Sequence, residues 1–181
     1  MIDAGRWTNT QTTSMQAFLE RFTLHDSGLY GLTLDPMGRV ILEIGVDRLW
    51  NEQVPDGYGT LLIRFDRPYR VEWTAGAWTQ STISGAESSK VDARERATLL
   101  EEGGFDLRAY QAAGGRDEIP HPSDDESLTR TKVTLMNWST LDLLHSESIR
   151  CVVTNESREV IDLAASPKGA CDDRRIASAA V

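Results

Sequence analysis

Three adjacent residues, His25, Asp26 and Ser27, carry the side chains of a hydrolase triad: an imidazole base, a carboxylate to orient it and a hydroxyl nucleophile. Catalysis needs these groups to be aligned within hydrogen-bond reach, which requires residues from separate elements. Three consecutive residues cannot reach this arrangement merely because they are neighbours in the chain. We therefore interpret the triplet first as a joint between a helix and a strand. There, Asp26 or Ser27 caps the turn and His25 forms a local hydrogen bond.

A second group of polar side chains surrounds His121, in a segment (117–126) with five carboxylates. The segment offers hard oxygen ligands and one imidazole, which are metal-binding groups. Its spacing lacks the internal glycine and terminal glutamate of a calcium loop, and it does not match the HExxH pattern of zinc enzymes. We predict a solvated loop, with no metal site and no cofactor.

Two further residues have reactive side chains. His145 follows an apolar run and precedes Ser146 and Glu147, which predicts a surface histidine at a turn. Cys151 alternates with apolar residues as part of an inward face, and a buried apolar thiol is inert. The GxSxG, P-loop, GxGxxG and CxxC motifs do not occur, so the common hydrolase, nucleotide-binding and dithiol chemistries lack their signatures.

Aromatic residues in a turn-rich connection suggest binding instead. Trp50 and Tyr58 lie in a Gly- and Pro-containing segment (47–59), whereas the other tryptophans fall in or near strand patterns typical of a core. Loop aromatics either cover a sheet edge or anchor a protein or sugar ligand, and covering is the commoner case. The candidate binding residues are Trp50, Tyr58, His25, Asp26 and His121.

The overall charge limits the choice of partner. The chain has 181 residues and a formal net charge of −9, which disfavours nucleic acids because their binding needs clustered Lys and Arg. A basic protein partner suits this charge. We find neither a signal-peptide pattern nor an apolar run long enough to span a membrane, and we expect a cytoplasmic protein.

The joint follows a helical pattern. Thr13 is the expected N-cap, because Gln16 lies at the spacing of a capping box. An apolar stripe follows at helical spacing, formed by Met15, Phe18, Leu19 and Phe22.

A hairpin is predicted after the joint. The residues of the segment 35–38 are Asp-Pro-Met-Gly, which match a type I turn with the glycine in a G1 bulge. The flanking alternation then pairs Leu34 with Val40, Leu32 with Leu42 and Tyr30 with Ile44 on one core face.

Further strands are predicted by alternation over 60–65, 69–73, 78–83, 128–138, 141–144, 148–154 and 159–163. A second hairpin is expected at Asp66-Arg67-Pro68, a short helix over 92–102, and an irregular loop over 111–126. The fold class is α+β and mainly β: an antiparallel meander sheet or sandwich of seven to eight strands with the N-terminal helix packed on it. Residues 1–163 form a single domain, and 164–181 form a frayed tail.

The first third of the chain resembles small bacterial proteins of unknown function, some grouped near polymorphic-toxin immunity proteins. The resemblance rests on the helix, Leu24-His25-Asp26-Ser27, the Asp35 to Gly38 turn, and Asp47 with Trp50-Asn51. It implies a module that acts by occupying the surface of a partner rather than by catalysis.

Three functions are therefore open. The first is a non-catalytic cytosolic protein-binding module, of the kind that the resemblance to immunity proteins implies, that neutralises a basic partner. The second is a small hydrolase that uses His25, Asp26 and the His121 loop. The third is a carbohydrate-binding module that requires the rings of Trp50 and Tyr58 to be exposed on one shallow face.

Overall fold

A computed structural model describes most of the chain as antiparallel strands. The described residues are 7, 9–35, 38–74, 81–101, 122–123, 125–157 and 159–163. The predictions for His121, for most of the 111–126 loop and for the tail fall outside these residues.

Ten strands and two helices form in the described part of the chain. The strands are β1 (Thr13–Ser14), β2 (Gly28–Leu34), β3 (Val40–Gly45), β4 (Tyr58–Phe65), β5 (Pro68–Thr74), β6 (Ser81–Lys90), β7 (Leu128–Leu135), β8 (Thr140–Ser146), β9 (Ser148–Asn155) and β10 (Val160–Asp162). The helices are α1 (Met15–Leu19) and α2 (Ala93–Glu101).

All ten strands belong to one antiparallel sheet, in the order β1-β9-β4-β3-β2-β6-β7-β8-β5, with β10 also paired to β9. The mainly β, antiparallel prediction is therefore confirmed. The strands are more numerous than the seven to eight expected, partly because β1 and β10 are only two and three residues long.

The polar segment after Ile83 also forms a strand, where only a short strand ending at Ile83 was predicted. β6 extends to Lys90 because β7 pairs with it along its length, with Ala86 opposite Val133 and Ser88 opposite Thr131. Pairing with a distant strand overrides the weak local preference of a Ser- and Glu-rich sequence.

The predicted second hairpin at Asp66-Arg67-Pro68 is wrong. β4 pairs with β3 and β9, whereas β5 pairs with β8. Two-residue hairpins favour Gly or Asn at positive φ, and neither Asp66 nor Arg67 has a positive φ. These residues form a corner instead, where the Asp66 carboxylate contacts Arg64 at 2.6 Å and Arg150 at 3.1 Å.

The chain makes a matching bend between β8 and β9, where Glu147 is the only residue between the strands. The Ser146 N–H donates to the Arg67 carbonyl at 3.0 Å and joins the two bends. The β4–β5 and β8–β9 segments therefore turn together. We call β1–β4, β9 and β10 one half of the sheet and β5–β8 the other. As a result of the bends, inward residues of both halves pack in one hydrophobic core, which includes Leu42, Ile63 and Leu143.

The N-terminal helix packs on this core, but it is shorter than its apolar pattern suggested. Ser14 is the N-cap, with its Oγ accepting from the Ala17 N–H at 3.1 Å. The predicted cap, Thr13, instead belongs to β1 and pairs with Ile149 of β9. The apolar stripe is largely confirmed, because Met15, Phe18 and Phe22 are buried in the core and Leu19 packs against it.

The first hairpin forms with the predicted turn. The Gly38 N–H donates to the Asp35 carbonyl at 2.9 Å, and Gly38 has φ 74° as a G1 bulge requires. The Asp35 N–H donates to the Arg39 carbonyl at 3.0 Å. Leu34 pairs with Val40 and Leu32 with Leu42, as predicted.

Tyr30 departs from the predicted register. A bulge leaves it unpaired, so that Leu29 faces Ile44 and is buried, while Tyr30 turns outward. Its ring lies against Gly28 and Gly45, where an added Cβ would overlap the ring. The glycines of the two strands therefore accommodate the displaced tyrosine.

His145 is buried in the core, not exposed at a turn as predicted. It lies on β8 and packs edge-on against Phe65, with ring centroids 4.6 Å apart. Its Nδ1 lies 2.6 Å from the Ser146 carbonyl, and its Nε2 lies 2.8 Å from the Thr131 hydroxyl. Burial lowers the pKa of His145 to about 4, against a smaller opposing effect of the hydrogen bond to Ser146.

Cys151 and the second helix match their predictions. Cys151 is fully buried, and burial raises the pKa of its thiol well above the usual value. The helix α2 occupies nearly the predicted range, and Asp92 caps it by accepting from the Glu95 N–H at 2.8 Å.

We predict that His145 makes the fold acid-sensitive. Because its pKa is lowered on folding, its contribution to stability is complete above its usual pKa of 6.5 and is lost as the pH falls towards about 4. The free energy of unfolding should fall by about 2 kcal/mol by about pH 5 from this group alone. Urea unfolding of the wild type and of His145→Gln isolates the effect, since other titrating groups are common to both. A difference in unfolding free energy that stays constant over this pH range would contradict it.

Candidate functional site

The joint between α1 and β2 is a tight turn bound to the start of β6. The Ser27 N–H donates to the Leu24 carbonyl at 3.1 Å, the Asp26 N–H to the Ile83 carbonyl at 2.9 Å, and the Ile83 N–H to the Ser27 carbonyl at 2.8 Å. Asp26 has φ 63°, a left-handed conformation that aspartate tolerates better than most residues. The joint is thus a fixed structural element, as interpreted from the sequence.

Ser27 serves the fold rather than chemistry. Its side chain is buried, and its Oγ accepts from the Asp47 N–H at 3.1 Å. The hydroxyl next to His25 and Asp26 in sequence is therefore bound to the loop that follows β3. The residues 25–27 do not form a catalytic triad.

Asn51 clamps that loop onto the joint. Its Oδ1 accepts from the Thr23 N–H at 3.0 Å, and its Nδ2 donates to the carbonyls of Thr23 at 2.8 Å and Asp47 at 2.9 Å. The side chain is buried. One amide thus satisfies three backbone groups across 28 residues of chain and sets the position of Trp50 beside it.

Three of the five predicted binding residues meet at this point. His25 Nδ1 lies 2.9 Å from Asp26 Oδ2, and the Trp50 indole donates to the same oxygen at 3.2 Å. The His25 and Trp50 rings are edge to face, with centroids 6.5 Å apart. The imidazole and the carboxylate lie on open surface. The cluster therefore presents one base, one carboxylate and one aromatic ring to solvent.

The other two predicted residues do not join this cluster in the described structure. Tyr58 packs against the core, and its hydroxyl donates to Glu159 at 3.2 Å. Desolvation and the neighbouring Glu159 raise the pKa of this tyrosine. His121 lies outside the described residues. The exposed pair of rings required for carbohydrate binding is not formed by Trp50 and Tyr58.

Trp50 was identified from the sequence, but four other exposed large apolar residues were not: Tyr30, Leu49, Met136 and Trp138. The strand predicted over 128–138 ends at Leu135, and Trp138 lies in the β7–β8 turn instead of a strand. We define the aromatic rim as five large apolar residues with exposed side chains: Trp138 (86%), Leu49 (85%), Trp50 (58%), Met136 (50%) and Tyr30 (49%).

The aromatic rim lies on segments that are hydrogen-bonded to one another. Gly28, beneath the Tyr30 ring, pairs with Thr82 of β6. The Thr82 carbonyl accepts from the Met136 N–H at 2.9 Å, which ties the β7–β8 turn to the same place. The loop with Leu49 and Trp50 is held to the joint by Asn51. These segments therefore lie around the start of β6, where β2 and β6 connect the two halves of the sheet.

The chain around the rim is acidic. Residues 25–57 contain six carboxylates and two arginines. Both arginines are already ion-paired within this segment, Arg39 with Asp35 and Arg48 with Asp56. Four carboxylates remain that neither arginine pairs with: Asp26, Glu43, Asp47 and Glu52.

No family model, curated protein or solved structure matches the chain. Within the described ranges, no cluster of three or more His, Cys, Asp or Glu side chains is placed to hold a metal ion. No helix in that part of the chain is both long and apolar enough to cross a bilayer.

Replacing the clamp should destabilise the fold. Asn51→Ala removes three hydrogen bonds and leaves partly buried backbone groups without a partner, at an expected cost of about 2–4 kcal/mol. Gln53→Ala is the matched control, since Gln53 in the same loop makes one exposed bond to the Arg21 carbonyl and should cost less than about 1 kcal/mol. Urea unfolding measures both, and similar costs for the two variants would contradict the role of Asn51.

Proposed function

We propose that this protein is a non-catalytic, protein-binding module that docks through the aromatic rim onto a basic partner. One observation carries the proposal: among the described residues, five of the six exposed large hydrophobic side chains lie on segments that are bonded to one another around the start of β6, and only Val160 lies elsewhere. An immunity-like role in a bacterial cytosol fits the resemblance of the N-terminal third and belongs to the same proposal.

The composition of the rim supports binding to a protein. Tryptophan, tyrosine and methionine are enriched where proteins meet, and tryptophan is among the residues whose truncation costs most affinity. Large contiguous apolar patches are rare on the surface of monomeric proteins and mark interaction sites. The rim has two tryptophans, Trp50 and Trp138, on neighbouring segments.

The attachment of the rim supports tight docking. Trp50 is oriented by its indole bond to Asp26, and its loop is fixed by the Asn51 clamp. Tyr30 is seated against Gly28 and Gly45. Side chains that are positioned before binding lose less conformational entropy on docking, which strengthens association.

The charge supports a basic partner. The carboxylates of Asp26, Asp47 and Glu52 lie on the segments that carry His25, Leu49 and Trp50. A surface of this sign attracts lysine- and arginine-rich partners and accelerates their association. Exposed indole rings also bind guanidinium groups through cation–π contacts.

Catalysis has weaker support from this geometry. His25 and Asp26 can transfer protons, but Ser27 is committed to the backbone of Asp47 and both ionisable groups face open solvent. A hydrolytic site needs a nucleophile within reach of the base and a pocket that positions the substrate.

The proposal is tested by titration with a short peptide that alternates arginine and leucine, using its glutamate–leucine counterpart as the probe of opposite charge. We expect the wild type to bind only the arginine peptide, and more weakly as salt rises. Trp50→Ala should weaken binding by about tenfold or more, since an anchoring tryptophan contributes over about 1.4 kcal/mol.

Two control variants separate the rim from general effects. Val160→Ala changes the exposed apolar residue on β10, which lies four strands from β2, a path of about 19 Å along the sheet at about 4.8 Å per strand. Glu87→Gln removes one charge from the middle of β6, whereas Asp26→Asn removes one beside Trp50. Only Asp26→Asn should weaken binding. Equal affinity for both peptides, or unchanged affinity in Trp50→Ala, would refute the proposed function.

A further inference from the structure

Two hairpins of this protein close with the same loop. In the β2–β3 loop, the Asp35 N–H donates to the Arg39 carbonyl and the Gly38 N–H to the Asp35 carbonyl. In the β7–β8 loop, the Leu135 N–H donates to the Ser139 carbonyl and the Trp138 N–H to the Leu135 carbonyl, both at 2.9 Å. Trp138 therefore occupies the position that Gly38 occupies in the other loop.

The backbone confirms this equivalence. Gly38 has φ 74° and Trp138 has φ 65°. This left-handed conformation costs glycine little, but in a bulky L-residue the Cβ crowds the backbone. The loop also has its own support, since Asn137 Oδ1 accepts from the Ser139 N–H at 3.0 Å.

Folding does not account for the tryptophan at this position. Its side chain is the most exposed of the large hydrophobic residues in the described structure, so it recovers almost no burial energy for its unfavourable backbone. Glycine would satisfy the loop better. A strained residue that nothing in the fold requires points to a function of its side chain.

We propose that Trp138 is the principal anchor of the aromatic rim, a tryptophan displayed at a turn tip for insertion between arginine and apolar side chains of a basic protein partner. This inference rests on the proposed function. The net charge of −9 and the carboxylates on the joint, which is bonded to the same strand β6 as the Trp138 turn, favour a cationic partner. An exposed indole ring can bind the guanidinium groups of such a partner. The same charge opposes a second copy of this chain, since two acidic surfaces repel.

The decisive variant is Trp138→Gly, which should improve folding while it destroys binding. The melting temperature should rise by about 2–4 °C as the backbone strain is released. Affinity for the arginine–leucine peptide should fall by at least about tenfold. A variant that is better folded and cannot bind excludes misfolding as the cause of the loss.

Gly38→Ala is the matched control at the equivalent loop position. It should lower the melting temperature, because alanine at positive φ is strained, and it should leave peptide affinity unchanged. This variant tests whether the loop conformation controls stability at the equivalent position, and its unchanged affinity would show that strain in a hairpin loop does not by itself weaken binding.

The outcomes separate the two proposals. If the wild type binds the arginine peptide and Trp138→Gly binds it equally well, the anchor role is wrong and the proposed function stands. If the wild type does not bind, both fail. A fall in the melting temperature of Trp138→Gly would overturn the argument from strain. A wild-type dimer in sedimentation that Trp138→Gly abolishes would replace the basic partner with a second copy.

Discussion

The shared corner of the sheet is the constraint on which the rest of the structure depends. β4 turns into β5 at Asp66-Arg67, and β8 turns into β9 at Glu147, so that two paired stretches of chain bend together. Asp66 holds two arginines at this corner, and His145 fills its interior as a hydrogen-bonded neutral side chain. The bend lets one core serve both halves of the sheet, while the pairing of β2 with β6 connects the halves elsewhere.

The candidate site is a consequence of that connection. Because β6 begins beside the joint and continues to pair with β7, the start of β6 holds the segment bearing His25 and Asp26 on one side and the turn bearing Trp138 on the other. The Asn51 clamp adds the loop that carries Trp50. Residues more than 100 positions apart in the chain thus lie around the start of β6, and their apolar side chains are exposed there.

The sequence predicted what depends on neighbouring residues. The Asp35 to Gly38 turn, the pairs Leu34–Val40 and Leu32–Leu42, and the burial of Cys151 all followed from local spacing. The corner at Asp66-Arg67 did not, because the partner of β5 lies about 70 residues further along the chain. The burial of His145 depends on that same corner.

The site was predictable only in part for the same reason. His25, Asp26 and Trp50 were identified by residue type, but their contact is made by Asn51, whose buried hydrogen bonds have no sequence signature. Trp138 was assigned to a strand because its exposure depends on where β7 ends. One signal was present: Met-Asn-Trp-Ser follows a strand pattern as Pro-Met-Gly-Arg does in the first hairpin.

The central claim is that the aromatic rim is the binding surface, and the indole N–H groups test it most directly. A heteronuclear correlation spectrum of isotope-labelled protein, with signals assigned by Trp50→Phe and Trp138→Phe, can be followed during titration with the arginine–leucine peptide. We expect the Trp50 and Trp138 signals to shift together with one dissociation constant, while the signal of buried Trp7 stays in place. Binding that leaves both rim signals unmoved would contradict it.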